Sequence, residues 1–201
     1  MIAGASVATE VGAFFALWLQ KPLHIAAANP SGVRLADAIA AQVDLSRTGA
    51  VLELGAGTGG LTRGLIRAGC PPERIIALER EPGLAAILRR KFPTAAVIEG
   101  DAMRIGEHAA IRDRQLCAVV SSLPIKWFSA EDQYAVVRPC FDRLGPEGRF
   151  IQLTNAFRSP LAMAQLGITG HEVARVWLNL LPAQIWSYSD PTRSLYGGNA
   201  A

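Results

Sequence analysis

From residue 50 onward, short apolar runs alternate with segments whose apolar residues recur at helical spacing. The runs predict strands over Ala50 to Leu54, Arg74 to Glu79, Ala95 to Glu99, Leu116 to Ser121 and Gly148 to Thr154. The intervening segments predict helices over Gly60 to Ala68, Pro82 to Phe92 and Ala130 to Phe141. Because each helix returns the chain to the starting edge of the sheet, we expect a doubly wound, parallel α/β sheet.

Two further strand-like runs follow a polar and helical stretch from Arg158 to Gly170. They cover His171 to Leu178 and Ala183 to Tyr188, and only Asn179 to Pro182 separates them. So short a connection joins antiparallel neighbours. The prediction is a mostly parallel, seven-stranded sheet with an antiparallel closing strand.

The first 49 residues are predicted to be a helical extension rather than a domain. A helix is expected over about 6–20, then a break at Pro22 and a second helix from about Val33 to Ala41. One face of the first helix is bulky and apolar, with Val7, Val11, Phe14, Phe15 and Trp18. Such a face either lies on a membrane surface or packs over a ligand pocket or a partner subunit. The domain itself is expected over 50–190, with a flexible tail over 191–201.

Composition narrows the class of protein. With 50% hydrophobic and 18% charged residues over 201 positions, the chain is not intrinsically disordered and has the size of one domain. The net charge of +3 is too small to require an anionic partner. The three cysteines form no C-x-x-C pair, so neither a metal site nor a disulfide framework is expected, and a reducing cytoplasm fits best. Val11 to Leu19 is about half the ~20 residues that a membrane span requires, so no span is expected.

The strongest chemical signal is the glycine-rich turn from Val51 to Gly60, where a buried strand leads into glycines and then a helix. Glycine permits positive φ and lets a ligand approach the backbone closely. Gly55, Gly57 and Gly60 fit the G-x-G-x-x-G spacing of dinucleotide-binding proteins, with Glu79 about 20 residues further on. The spacing alone therefore leaves a dinucleotide and S-adenosylmethionine open.

Three features favour S-adenosylmethionine. Glu53, two residues before the first glycine, suits an ammonium group and would repel a pyrophosphate. Glu79 ends the second strand, where a carboxylate suits ribose hydroxyls, and Asp101 follows the third strand, where it suits the adenine amine. Finally, a second domain that would orient a hydride acceptor is not expected from these 201 residues.

Over roughly residues 50 to 190, the chain resembles the class I S-adenosylmethionine-dependent methyltransferases. The features that carry the resemblance are E-L-G-A-G-T-G, Glu79, G-D-A and the antiparallel closing pair. The resemblance implies a Rossmann-like fold, S-adenosyl-L-methionine as cofactor, S-adenosyl-L-homocysteine as product and no metal. It implies cofactor contacts from Glu53, Gly55, Ala56, Gly57, Thr58, Gly59, Glu79, Arg80, Gly100, Asp101, Ala102, Ser121, Ser122 and Leu123.

Within that class, Ile98 to Ala102 and Ser122-Leu123-Pro124 are similar to two families. The ribosomal RNA adenine dimethyltransferases carry N-L-P-Y at the second segment, where the amide and the aromatic ring hold a flipped base. Here Ser122 and Ile125 replace that pair, although Trp127 and Phe128 offer stacking from a shifted position. Those enzymes also carry a C-terminal helical domain and a strongly basic groove, whereas this chain has a net charge of only +3. No nucleic acid is therefore expected as a partner, and RNA is kept only as the alternative substrate.

The bacterial phospholipid N-methyltransferases are similar over nearly the whole chain. The similar segments are Leu17 to Pro22, Ala28 to Ser31, Ser122 to Pro124, Arg158 to Pro160 and Asn179 to Ala183. The resemblance implies stepwise methylation of phosphatidylethanolamine toward phosphatidylcholine by a cytoplasmic protein that lies peripherally on the inner membrane surface. Its first helix would contact the membrane through Val11, Phe14, Phe15 and Trp18. The chain departs from the family in having few basic residues near that helix, namely Lys21, His24 and Arg34.

Substrate contacts are expected from Trp18, Lys21, Lys126, Trp127, Asn155 and Arg158. Lys126 and Arg158 follow strand ends and would hold a lipid phosphate. A methylated ammonium would be held through cation–π attraction by Trp18, Trp127 and Phe128. Ordinary surface charge and core packing are the alternatives for each. No catalytic base is assigned; the candidates are Glu10, His24 and Tyr134, for which solvent-facing or packing roles stay open. A membrane-attached donor-binding module without turnover, and any oligomeric state, also stay open.

Overall fold

Seven strands form one sheet in the order β3-β2-β1-β4-β5-β7-β6. The computed structural model describes residues 30–178 and 181–194. The strands are β1 (Ala50–Leu54), β2 (Ile75–Glu79), β3 (Ala96–Glu99), β4 (Leu116–Ser121), β5 (Leu144–Thr154), β6 (Thr169–Leu178) and β7 (Leu181–Ser189). Strands β1 to β5 are parallel, and β7 runs antiparallel to both β5 and β6. The predicted mostly parallel sheet with an antiparallel closing strand is confirmed.

Two of the helices begin at a residue whose side chain caps them. They are α1 (Pro30–Ala40), α2 (Gly60–Arg67), α3 (Pro82–Lys91), α4 (Ala109–Arg112), α5 (Ala130–Arg143), α6 (Met163–Leu166) and α7 (Pro191–Ser194), with 3-10 turns at Pro72–Arg74, Ala102–Glu107 and Ile125–Trp127. The Glu81 carboxylate accepts from the Leu84 amide at the start of α3, and the Ser129 hydroxyl accepts from the Asp132 amide at the start of α5. Each cap satisfies an amide that has no partner within its helix.

The central strands β1, β2 and β4 are buried on both faces. Leu52 and Leu54 of β1 pack with Phe141 of α5, whereas Val51 packs on the other face with Leu65 of α2. This two-sided burial explains why the parallel strands are continuous apolar runs without polar alternation. Because β1 to β5 are parallel, the loops that follow them lie at one edge of the sheet, which is called the carboxyl edge below.

The ends of the described chain bear on three predictions. The helix predicted over 6–20, with its apolar face, lies outside the described residues. The second helix begins at Pro30 and packs on α2, where a Cβ on Gly64 would lie 2.9 Å from the Ala36 Cβ. The segment expected to be flexible from 191 begins with α7, whose Arg193 Nη1 donates to the Leu144 carbonyl at 2.8 Å, and 195–201 lie outside the described residues. Over the two described ranges, no helix is long and apolar enough to span a bilayer.

Candidate functional site

The glycine loop between β1 and α2 is the centre of the site. Gly55, Gly57 and Gly59 have positive φ angles of 75°, 56° and 81°. The Gly55 amide donates to the Leu78 carbonyl at 2.9 Å, which ties the loop to the neighbouring strand β2. A Cβ built on Gly57 would meet no atom within 4 Å. The backbone at Gly57 therefore faces open space that a ligand can occupy at close range.

Glu79 anchors this loop from the end of β2. The residue is only 3% exposed. Its Oε2 accepts from the Gly57 amide at 2.8 Å, and its Oε1 accepts from the Glu81 amide at 2.9 Å. A carboxylate has about four lone-pair positions, so two positions remain for hydroxyl groups of a ligand.

Glu53 lies deeper, in the middle of the parallel sheet. It is 1% exposed, and its Oε2 accepts from the Thr62 hydroxyl of α2 at 2.6 Å. Burial raises the pKa of Glu53 to about 8; the hydrogen bonds from Thr62 act in the opposite direction, and the Glu79 carboxylate adds to the increase. At neutral pH this carboxyl group is mostly protonated until a cation approaches, because a nearby positive charge favours its ionised form.

The loop after β3 brings a third carboxylate to the same edge. The Gly100 amide donates to the Glu79 carbonyl at 3.0 Å, which fixes the two strand ends side by side. Asp101 caps the following 3-10 turn, with Oδ1 accepting from the Met103 amide at 3.0 Å. Gly100 also packs against the imidazole of His108, whose atoms would lie 2.5 Å from a Cβ at this position. No local sequence pattern marks this contact of His108, since its partner is recognised only in the folded chain.

The turn after β4 packs against the glycine loop. The Ser122 hydroxyl donates to the Gly55 carbonyl at 2.8 Å, and the Ser122 amide donates to the Leu54 carbonyl at 3.1 Å. The Leu123 side chain lies 3.0 Å from the position that a Cβ on Gly55 would take. Gln152 of β5, fully buried, donates to the Leu123 carbonyl at 2.9 Å. Gln152 was not predicted, because its position inside a strand gave no signal of a polar role.

Three of the predicted substrate residues lie together beside this turn. Lys126 Nζ donates to Asn155 Oδ1 at 2.5 Å and lies 4.9 Å from the ring centroid of Trp127. Burial lowers the pKa of Lys126. Arg158 is exposed on the same loop as Asn155. The structure thus joins the loops after β4 and β5 at one place on the carboxyl edge.

Other predicted residues are placed differently or are not described. Tyr134 is 53% exposed on α5. Arg80 follows Glu79 at the end of β2. Glu10, Val11, Phe14, Phe15, Trp18, Lys21 and His24 lie outside the described residues. Within the described ranges there is no group of His, Cys, Asp or Glu side chains that would hold a metal ion.

Comparison with known proteins identifies the family. The model of a methyltransferase domain matches residues 51–148. An ornithine lipid N-methyltransferase of Singulisphaera acidiphila is 35% identical over 134 residues, which are 65% of this chain and 70% of that protein. The chain belongs to the class I S-adenosylmethionine-dependent methyltransferases.

Two further similarities are more limited. Ribosomal RNA small subunit methyltransferase A of Chlorobium chlorochromatii is 30% identical over 124 residues, but the match spans only 38% of that protein. The N-methyltransferase NodS from Bradyrhizobium japonicum, solved with S-adenosyl-L-homocysteine, has a TM-score of 0.65 at 13% identity over 86% of this chain and 93% of that chain. At that identity the structural likeness shows the fold alone.

The cofactor of the methyltransferase is S-adenosyl-L-methionine, and the site fits it on structural grounds. The open space before Gly57 admits a ligand against the backbone. The Thr58 hydroxyl is buried without a partner among the described residues, so a bound polar group would satisfy it. We expect Glu53 to favour the ammonium group, Glu79 the ribose hydroxyls and Asp101 the adenine amine. The electrophilic methyl group is the chemistry that the cofactor brings.

Cofactor binding should release a proton from Glu53. Because the pKa of Glu53 is about 8 and a bound ammonium favours the carboxylate, the association constant should rise by up to about tenfold per pH unit from pH 6 to 7.5. Calorimetry in buffers of different ionisation enthalpy measures the released proton. Glu53→Gln should bind more weakly and release none, whereas Asp101→Asn should weaken binding and keep the release. Binding by the native protein without proton release would contradict this assignment.

Gly57→Ala should weaken cofactor binding at least tenfold, because the new methyl group would occupy the space before the loop. A positive φ also strains alanine by about 1–2 kcal/mol, so a control with the same strain is needed. Gly167→Ala provides this control, since Gly167 has a φ of 66° and a Cβ built on it would meet no atom within 4 Å. Gly167 lies just before the start of β6, away from the carboxyl edge. Both variants should lose similar stability in urea unfolding, and equal cofactor affinities would show that Gly57 does not face the cofactor.

Proposed function

We propose that the methyltransferase transfers methyl groups to the amine of a membrane lipid, with phosphatidylethanolamine and its methylated intermediates as acceptors on the way to phosphatidylcholine. The observation that carries the proposal is at the turn after β4. There Ser122 stands where the adenine dimethyltransferases carry Asn, and its hydroxyl donates to the Gly55 carbonyl at 2.8 Å. The turn therefore offers no side-chain amide to hold a flipped adenine. The relative named as an ornithine lipid N-methyltransferase supports a lipid acceptor.

Alignment is the main task of the protein in this reaction, because positive charge passes from sulfur to nitrogen along one line. Ser122 and Gln152 fix the turn after β4 relative to the glycine loop. That turn separates the cofactor side of the edge, at β1 to β3, from the acceptor side at β4 and β5. The acceptor amine, protonated at neutral pH, has to lose a proton before attack; Glu10, His24 and Tyr134 stay candidates for that base.

Lys126 is suited to a lipid phosphate. It is partly buried, and burial lowers its pKa because the ammonium lacks full hydration. Asn155 satisfies one of its three N–H groups, and a phosphate would satisfy the others. Arg158 lies on the same loop and can contact the headgroup from outside. As methylation proceeds, the ammonium loses its N–H groups, and the exposed ring of Trp127 offers cation–π attraction in their place.

We further propose that the protein works peripherally on the cytoplasmic membrane surface. The predicted first helix supports this, because burial of a large side chain contributes ~1.5–3 kcal/mol. Half-immersion of Phe14, Phe15 and Trp18 would therefore contribute several kcal/mol to the free energy of membrane binding, whereas each nearby basic residue would contribute about 1 kcal/mol. Insertion of the rings should thus contribute more than charge.

A transfer assay with methyl-labelled cofactor tests the acceptor. We expect label in phosphatidylethanolamine vesicles and none in ribosomal RNA stripped of protein. Label in RNA would favour the adenine alternative, to which the ribosomal RNA methyltransferase relatives point. Cofactor binding without transfer to either acceptor would indicate a silent donor-binding module.

Lys126→Met should raise the KM for phosphatidylethanolamine about tenfold or more, since loss of a hydrogen bond to a charged group costs about 1.5–3 kcal/mol. The rate constant at saturation and the cofactor affinity should change little. Arg149→Met is the matched control, because Arg149 lies near the start of the parallel part of β5, opposite Ala118, away from the carboxyl edge. Equal KM values for the two variants would show that Lys126 does not bind the lipid phosphate.

A further inference from the structure

We propose that an aromatic rim at the carboxyl edge of the sheet inserts into the surface of a zwitterionic phospholipid bilayer. The rim consists of Trp127, Tyr134, Phe157 and Trp177. The inference rests on the proposed function, since a lipid acceptor requires the mouth of the site to meet a bilayer. It assigns a membrane contact to the folded domain itself, separate from the predicted first helix.

The exposed aromatic residues are concentrated at one edge of the sheet. Within the described residues, four aromatic residues are more than half exposed: Trp127 at 57%, Tyr134 at 53%, Phe157 at 75% and Trp177 at 68%. Trp127 and Phe157 lie in the loops after β4 and β5. Tyr134 lies in the second turn of α5, which follows the first of these loops.

Trp177 reaches the same edge on the β6–β7 hairpin. On β7, Gln184 is opposite Thr154 at the end of β5. Because β7 runs antiparallel to β5, Pro182 lies further toward the carboxyl edge than Gln184, and Trp177 pairs with Pro182. Since β4, β5, β7 and β6 are neighbours spaced by ≈ 4.8 Å, the strands that lead to Trp127, Phe157 and Trp177 span about 14 Å of the edge. The cofactor side occupies the other half of that edge. A bilayer that contacts the rim would therefore hold its headgroups beside the cofactor.

A buried amide holds the two loops of the rim together. Gln133 is 5% exposed. Its Nε2 donates to the Ile125 carbonyl at 3.1 Å and to the Pro160 carbonyl at 3.3 Å, and its Oε1 accepts from the Ala162 amide at 2.9 Å. The Lys126–Asn155 hydrogen bond adds a second link. Trp127 and Phe157 are thus presented to water by fixed loops, although burial of such large rings would be favourable.

The charges around the rim identify the partner as a zwitterionic surface. Lys126 and Arg158 lie in the rim loops and complement phosphate groups. Glu131 and Asp132 are exposed in the first turn of α5 and complement ammonium groups. A nucleic acid offers only the negative charge. Trp and Tyr side chains are enriched at the interface between lipid and water, where their rings are buried at the level of the headgroups.

A fluorescent probe at position 157 tests the proposal. The three native cysteines are buried, so a cysteine introduced by Phe157→Cys can be labelled selectively with an environment-sensitive dye. On addition of vesicles of equimolar phosphatidylethanolamine and phosphatidylcholine, its emission should shift to the blue, and brominated lipids should quench it. Glu73→Cys is the control, because Glu73 is exposed in the turn before β2 at the opposite edge; its probe should not respond.

Phe157→Ser gives a second readout that does not depend on a dye. It should lower vesicle affinity about tenfold relative to Glu73→Ser, because an inserted ring would be lost. Methylation of dispersed short-chain phosphatidylethanolamine should not change.

Three results would overturn the proposal: no binding of the chain to these vesicles, a 157 probe that stays in water while the chain is bound, or a response to single-stranded RNA instead of vesicles. If no lipid is methylated but the 157 probe enters the bilayer, the proposed function fails and the rim stands. If dispersed lipid is methylated and the probe stays in water, the rim fails and the proposed function stands.

Discussion

The hydrogen bond from the Gly57 amide to the buried Glu79 carboxylate, at 2.8 Å, is the contact on which the site depends. It holds the loop after β1 to the end of β2, and the bond from the Gly100 amide to the Glu79 carbonyl holds the loop after β3 to the same residue. Parallel strands bring these ends to one edge, but the strands alone leave the loops free. Glu79 converts three separate strand ends into one ligand-binding surface.

This arrangement has an electrostatic cost that fits a cofactor carrying positive charge. Glu53 and Glu79 are both buried, and burial together with the neighbouring carboxylate raises the pKa of Glu53. A carboxyl group in that position destabilises the folded chain increasingly as the pH rises from its ordinary pKa toward 8, because the unfolded chain ionises more readily. A buried carboxyl group with a raised pKa is typical of functional sites, where a ligand supplies the missing counter-charge.

Under the proposed function, the turn after β4 divides the carboxyl edge into a half that binds the cofactor and a half that binds the acceptor. Ser122 ties that turn to the glycine loop, and Gln133 ties the loop that follows it to the loop after β5. The cofactor half and the acceptor half are therefore fixed relative to each other by side-chain amides and hydroxyls rather than by the sheet. A reaction that depends on in-line geometry requires this kind of rigid positioning.

The amino-acid sequence by itself determined the strands, the glycine loop and the three carboxylates Glu53, Glu79 and Asp101, because those features depend on local periodicity, on positive φ and on which residues lie at or next to a strand end. Even there the start of β5 was predicted at Gly148 instead of Leu144, since Gly145 and Pro146 resemble a turn. Only the tertiary structure decided the contacts of Gln133, Gln152 and His108 and the exposure of Phe157. Their partners are distant along the chain, as with Gln133 and Pro160, which are 27 residues apart, and exposure at one edge of a sheet exists only after the strands have paired.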